Sequence, residues 1–311
     1  MNRITTADSY AAVVANIMAA QQQLNLDANQ LSSGAVASDL QGYASHAETL
    51  TAMQTVQSQV SGFLANDTIL SDRLTTQDNA LQQVASSATG ASQAIRAALA
   101  QGDGSALMQS LSDQFQSALQ GLNTTYNGEY IFAGGQVTTP PVNVNSLTAL
   151  GAAPSVSGIF TNDQQVAQSQ ISQNTTVQTG FLASNVGTNL MGVLQTIQQY
   201  VTANGPFTGQ LTAAQITFLQ QQMAALDSAG SQITNTAAQN GGIQSQVANT
   251  QNDLTNYQTT LGTMMGNITQ ANVAQVSANL QQAQMAIQAS AQVFLTLQSS
   301  SLLNVLTAAG H

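Results

Sequence analysis

Residues 272–298 read NVAQVSANLQQAQMAIQASAQVFLTLQ, and their spacing decides the architecture. Apolar residues recur every seven positions at Val273, Leu280, Ile287 and Phe294. A second row, Val276, Ala283 and Leu297, lies three residues further on, and Ser290 interrupts it. Alternating steps of three and four hold all of these on one side of a helix, which is the pattern of a coiled-coil seam. The expected helix runs from about 267 to 306 and takes in Leu302, Leu303 and Leu306. No Asp, Glu, Lys or Arg follows Asp253. A helix with one apolar stripe and no charge needs a partner.

Composition narrows the choice of partner. Only 5% of the 311 residues are charged, against the usual quarter, and the net charge is −10. The basic residues are Arg3, Arg73 and Arg96. Nucleic acid is not expected as a partner, because affinity for it comes mainly from Lys and Arg neutralising phosphates. An anionic membrane surface is excluded for the same reason. Gln, Ser, Thr, Asn and Ala stand where charge is missing. Such a surface is wetted without repelling copies of itself, which suits side-by-side packing of identical subunits. The opening Met1-Asn-Arg-Ile-Thr-Thr-Ala-Asp8 lacks an apolar core, so no cleavable signal is expected. No run of about 18 apolar residues is present, so membrane insertion is not expected. There is no cysteine to report on the redox compartment.

Read in order, residues 4–33 form a helix with Tyr10, Ile17, Leu24 and Leu31 seven apart and Val14 and Ala28 beside them. Gly34 is placed to end it. A second helix, Thr49 to Ala100, would span roughly 75 Å at ~1.5 Å per residue. Its seam runs from Met53 through Val60, Leu70, Leu74, Leu81 and Val84 to Ala98, with Asp67 and Gln77 at two seam positions. Gly102-Asp-Gly104 ends it, and Ser105 is expected to cap a third helix carrying Leu107, Leu111, Phe115, Ala118 and Leu122. All four prolines then fall between residues 140 and 206. Gly158–Thr161 and Thr175–Thr179 read as strands, and 190–201 as a short helix. Thr212-x-x-Gln215 is a capping box. The seam Leu219, Leu226, Ile233, Val247, Leu254 and Leu261 keeps its interval across Gly241-Gly242, departing from it only at Asn240. Gly262 and Gly266 mark an expected joint before the last helix.

The predicted class is mainly α: a long antiparallel coiled-coil or helical-bundle rod made by the N- and C-terminal halves, with a small β-containing insert. The expected divisions are 1–44 (terminal helix), 45–128 (rod), 129–210 (insert), 211–264 (rod) and 265–311 (terminal helix).

These residues carry a resemblance. Paired helices at both termini are similar to those of flagellin and its relatives. Arg3-Ile-Thr-Thr6 resembles the opening of the hook–filament junction branch, hook-associated protein 3. Leu31-Ser-Ser-Gly34, with Ser33 and Gly34, resembles the close of the first helix across the superfamily. Asn66, then Ser71-Asp-Arg-Leu74 and Ala80-Leu81, resembles its next helix. Asn127-Gly-Glu-Tyr-Ile-Phe-Ala-Gly134, with Gly128, Tyr130, Phe132 and Gly134, resembles the junction branch's Gly-x-Tyr-x-Phe-x-Gly segment, where ordinary flagellins have another pattern. Ser301-Leu-Leu-Asn-Val-Leu306 resembles the superfamily's C-terminus. After Gly34 the family usually has a basic residue and a Ser-Asp-Asp-Pro element, of which only Ser38-Asp39 is present.

The resemblance implies a structural subunit of the bacterial flagellum, exported through the flagellar type III apparatus and located outside the cell. Its partners would be copies of itself, an adjacent hook-associated protein, flagellin, and an export chaperone holding the C-terminal helix. The assembly surface would comprise Tyr10, Ile17, Leu24, Leu31, Val273, Val276, Leu280, Ala283, Ile287, Phe294, Leu297, Leu302, Leu303 and Leu306. A filament flagellin and a coiled-coil secretion tip or translocator protein are the alternatives. The translocator requires a membrane-inserting segment, and none is read here.

Catalytic and metal chemistry find little material. His46 and Glu48 are the only His–acid neighbours, too few to hold a metal. Gly102-Asp-Gly104 follows no strand and precedes no lysine, so it reads as a turn rather than a phosphate loop. Two histidines offer no triad. Asp8, Asp27, Asp39, Asp67, Asp72 and Asp78 lack calcium-loop spacing and read as solvated faces and caps. No cofactor is expected, and the chain is not expected to be an enzyme.

Overall fold

A computed structural model describes the backbone of residues 2–308 and the side chains of residues 8–299. Seven α-helices carry the described chain: α1 (Asn2–Ser33), α2 (Ala47–Gln101), α3 (Leu107–Leu122), α4 (Leu147–Ala152), α5 (Ala183–Asn204), α6 (Ala213–Thr269) and α7 (Val273–Ala308). Two small antiparallel hairpins join them, β1 (Thr125–Tyr126) with β2 (Glu129–Tyr130) and β3 (Gln168–Ser172) with β4 (Thr175–Gln178). The fold is thus mainly α, with long helices packed on one another and a small β-containing insert. It divides into two units, residues 1–58 with 257–311, and residues 59–256.

In the first unit α1 and α7 run antiparallel. Tyr10 meets Phe294 edge-on, with ring centroids 5.5 Å apart and planes at 80°. At the other end Ala35 bridges Gln270, with Val36 N–H donating to Thr269 O at 2.8 Å and Ala271 N–H to Gly34 O at 2.9 Å. Gly34 does end α1, at φ +69°, a left-handed conformation that a side chain disfavours. The joint before α7 differs from expectation. Gly262 and Gly266 stay helical inside α6, and the break comes at 270–272. Asn272 makes it, because its Oδ1 accepts from Gln275 N–H at 3.2 Å and so caps α7.

In the second unit α2 and α6 are antiparallel partners. One main core joins them to α3, α4 and α5, around Leu81, Val84, Ile95, Leu111, Phe115, Leu122, Leu190 and Leu226. The capping box at the start of α6 is made: Thr212 N–H donates to Gln215 Oε1 at 2.9 Å, and Gln215 N–H to Thr212 Oγ1 at 3.3 Å. α6 passes unbroken through Gly241-Gly242, since packing along its seam outweighs a weak intrinsic propensity. Ser105 does not cap α3. Its backbone N–H donates to Asp103 Oδ1 at 2.7 Å, and its hydroxyl accepts from Gly209 N–H at 3.0 Å, so it ties the 102–105 turn to the approach to α6.

Two insert readings change as well. Gly158–Thr161 is not a strand: Ser157–Ile159 is a 3-10 turn, and Phe160 makes an isolated bridge to Val142. The short helix expected at 190–201 extends over 183–204 because its apolar face, from Ala183 through Leu190 to Ile197, is buried throughout. β4 falls where the Thr-rich piece predicted it.

Candidate assembly surface

The inner face of α1 is formed by Tyr10, Val13, Ile17, Ala20, Leu24 and Ala28, all half-buried, and by fully buried Asp27. The facing positions on α7 are Val276 and Ala283, which are buried, and Leu280, Ile287, Phe294 and Leu297, which are half-buried. Small residues meet at mid-length, where Ala20, Gln23, Asn279, Gln282, Ala283 and Ala286 line a shallow groove of about 390 Å³. It contains no acid, base or aromatic ring, and therefore no group for acid–base or nucleophilic chemistry.

Two expected seam residues are left largely uncovered by the partner helix. Leu31 is 41% exposed and Val273 is 54% exposed. Both stand in the last or first turn of their helices, where the backbone is already turning toward the Gly34–Ala271 bridge. Val13, rather than exposed Val14, faces inward. Leu302, Leu303, Leu306 and Arg3 lie outside the residues with described side chains.

The outward faces are more apolar than the sequence reading held. Met18, Leu26, Met285, Val293 and Leu295 are all exposed, four of them by more than half. They lie off the seven-residue row, so a search for one seam passes over them. A count of apolar residues on every helical face would have found them. With Ala, Gln and Ser between them and no charge on α7, these faces are depleted in charge, as the cores of association sites are. Asp27 is the exception on the inner face. Gln23 Nε2 donates to its Oδ1 at 3.0 Å, while Oδ2 is buried without a partner.

The family-motif residues of the second unit are structural. Asn127 and Gly128 both have positive φ, +52° and +84°, and close a two-residue hairpin turn between β1 and β2. Phe132 is wholly buried in the main core, and its carbonyl accepts from Ala183 N–H at 2.9 Å at the start of α5. Tyr130 is half-buried, and its N–H donates to Val137 O at 2.8 Å. At Gly134, a Cβ would come within 2.2 Å of Asp163 Oδ1. Asp163 Oδ1 accepts from the N–H groups of Gly135 and Gln165, each at 2.9 Å, which holds its carboxyl below the ordinary range. Asn66 is exposed on α2. Ser33 donates its hydroxyl to Asn29 O at 2.7 Å and accepts from Ala35 N–H at 3.2 Å, finishing the end of α1.

Between α2 and α6 the seam interruptions come together. Gln77 and Asn240 are fully buried, and Gln77 Nε2 donates to Asn240 Oδ1 at 2.8 Å and to Thr179 O at 3.1 Å. Asn240 Nδ2 and Gln244 Nε2 both donate to Leu74 O at 2.9 Å. Higher on the same pair, Asp227 accepts from Ser92 Oγ at 2.6 Å and forms an ion pair with Arg96. That pair is half-exposed, so it contributes little to stability.

The comparisons with known proteins agree with this architecture. Residues 4–137 match the family described as bacterial flagellin N-terminal helical region, and residues 223–306 match the bacterial flagellin C-terminal helical region. No curated protein sequence matches the chain. Among solved structures, a flagellar hook-associated protein of Vibrio parahaemolyticus is similar at 14% identity and a TM-score of 0.59, covering 72% of this chain and 97% of that one. FlgL of Bacillus cereus is similar at 15% identity and a TM-score of 0.53, covering 70% of this chain and 99% of its own. FlgL of Xanthomonas campestris follows at 14% and 0.52, covering 69% and 98%. At these identities the likeness speaks for the fold. With residues 4–137 and 223–306 matching the N- and C-terminal helical regions, which together make up more than half of the chain, it belongs to the flagellin superfamily.

Proposed function

We propose that this chain is the junction subunit between the hook and the filament of a bacterial flagellum. Family membership makes it a structural protein of the flagellum rather than an enzyme, and implies self-assembly outside the cell with other flagellar components. Among the described residues no helix is long and apolar enough to cross a membrane. The finer assignment is supported chiefly by the segment Asn127–Gly134, whose hairpin delivers Phe132 into the core and resembles the junction branch rather than ordinary flagellins. The hook-associated description of the similar Vibrio parahaemolyticus structure is in keeping with it.

In this reading α1 and α7 form the inner tube, and their outward apolar faces meet neighbouring subunits. Domains 1–44 and 265–311 supply the tube, 45–128 and 211–264 the surrounding rod, and 129–210 the outer surface. Many copies of one segment converge in such a tube, and like charges there would repel at short range. An uncharged α7 avoids that cost. Before assembly, an export chaperone holds α7 as an amphipathic helix in a groove.

Immunogold labelling of intact flagella tests the assignment. Gold confined to the hook–filament boundary is the expected result. Gold along the whole filament would replace it with the second reading, a filament flagellin, with which the family match is equally compatible.

A further inference from the structure

A cleft of about 330 Å³ opens on α2 beside the β3–β4 hairpin, lined by Phe63, Asn66, Asp67, Leu70, Ser169 and Gln170. Asp67 is 1% exposed, and its Oδ2 is buried with no hydrogen-bond partner. Burial pushes its carboxyl up to about 6, because nothing nearby stabilises the ionised form. No other lining residue is titratable. The hairpin itself, residues 168–178, contains no titratable group. The acids of α6 are Asp227, which is paired with Arg96, and Asp253.

The remaining polar groups leave acceptors unused. Gln170 Nε2 donates to Gln173 O at 2.9 Å, and no described bond uses its Oε1. Ser169 Oγ is engaged with Thr179 Oγ1 at 3.2 Å. The cleft therefore combines one uncompensated carboxyl, free amide oxygen and two apolar walls.

We propose that this cleft receives one basic side chain, a lysine or an arginine, presented by a different protein. The cationic head meets the Asp67 carboxylate and the amide oxygen of Gln170. The aliphatic stem lies along Leu70 and Phe63, as the stems of long basic side chains do on apolar surface. The Phe63 ring adds attraction for the cation where its face is presented. A divalent metal is disfavoured, since it takes six or more oxygens and more than one carboxylate to hold it firmly. Among the described side chains, the chain itself is a poor donor of the cation. It has no lysine, Arg96 is engaged with Asp227, and Arg73 is half-buried in another groove beside Tyr126 and Glu129. A net charge of −10 favours approach of a basic partner. Because the cation binds the ionised carboxylate, binding releases a proton and is tighter at neutral pH than in acid. The proposal does not rest on where in the flagellum the chain sits.

The test follows the Asp67 carboxyl carbon by NMR through a pH titration of the full-length protein. It is run alone, then with N-acetyl-arginine methylamide, N-acetyl-lysine methylamide, or uncharged N-acetyl-norleucine methylamide. The basic amides are expected to lower the Asp67 midpoint by about one unit, a tenfold preference for the ionised form. They are also expected to shift the Ser169 and Gln170 amide signals saturably, and Asp67→Asn is expected to abolish those shifts while retaining the helical circular dichroism. An unmoved midpoint, or an equal response to the norleucine amide, overturns the proposal. So does a response to calcium chloride in place of the basic amides. Self-association lost in both Asp67→Asn and Arg3→Gln would give the cleft to a second copy and overturn the assignment to a different protein.

Discussion

Gln77 of α2 and Asn240 of α6, 163 residues apart, share a hydrogen bond of 2.8 Å in a fully buried setting. Asn240 also reaches the Leu74 carbonyl, and Gln77 reaches the Thr179 carbonyl that follows β4. One polar layer thus fixes the register of the two long helices and anchors the β3–β4 hairpin to them. Asn240→Ala leaves the Gln77 amide with one acceptor fewer in a dry environment. The expected loss is about 1–3 kcal/mol in urea unfolding. The double replacement Gln77→Leu/Asn240→Leu is expected to restore most of that stability while broadening the NMR signals of the 168–178 hairpin, because an apolar layer no longer selects one register.

Asp67 makes stability depend on pH. Its pKa is raised from 3.8 to about 6 by burial, so the folded chain binds this proton more tightly than the unfolded one. The stabilising effect is fully present below about pH 4, falls between about 4 and 6, and is gone above. Its full size is at most about 3 kcal/mol. Asp67→Asn should flatten this part of the profile and raise the urea midpoint at pH 7.5. A profile unchanged by the substitution would show that Asp67 is not the group responsible.

Gly134→Ala meets two obstacles at once. The backbone stands at φ +70°, and the new Cβ would lie 2.2 Å from Asp163 Oδ1. The expected cost exceeds ~1 kcal/mol, since the strain adds to displacement of the carboxylate from its two N–H donors. Thermal unfolding measures it, and Gly128→Ala, which meets positive φ but open space, should cost less.

Ile287→Asp or Phe294→Asp places a carboxylate in the α1–α7 contact, where Phe294 lies edge-on against Tyr10. Burying it without a partner costs several kcal/mol, about 2–7 for a polar group and more for a charged one. Assembly and motility are expected to be lost. Hydrogen exchange in residues 59–256 should stay protected, since that unit has its own core. Normal motility in either variant would remove the role assigned to this contact.

Much of this was legible in periodicity. Leu74, Leu81, Val84 and Ile95 on α2, and Leu219, Leu226 and Ile233 on α6, are buried as their spacing predicts. Packing along a whole seam outvotes local signals, which is why Gly241-Gly242 and Gly262 do not break α6. The errors fall where local geometry competes with periodicity. Leu31 and Val273 keep the seven-residue interval yet lie at helix ends that turn away, and a repeat carries no information about where its contact stops. Gly158–Thr161 has strand-like residues, but its pairing with residues 141–143 stops at a single bridge, so it settles as a turn rather than a strand. Gln77 and Asn240 looked like two separate interruptions, because a sequence does not say that positions 163 residues apart face each other.

The bridge between Ala35 and Gln270 has a mechanical consequence. The chain breaks helix twice in its first unit, after α1 and before α7, and two backbone hydrogen bonds rivet those breaks together. Bending at one requires bending at the other. A pull on either terminal helix is therefore shared between both connections through these two hydrogen bonds.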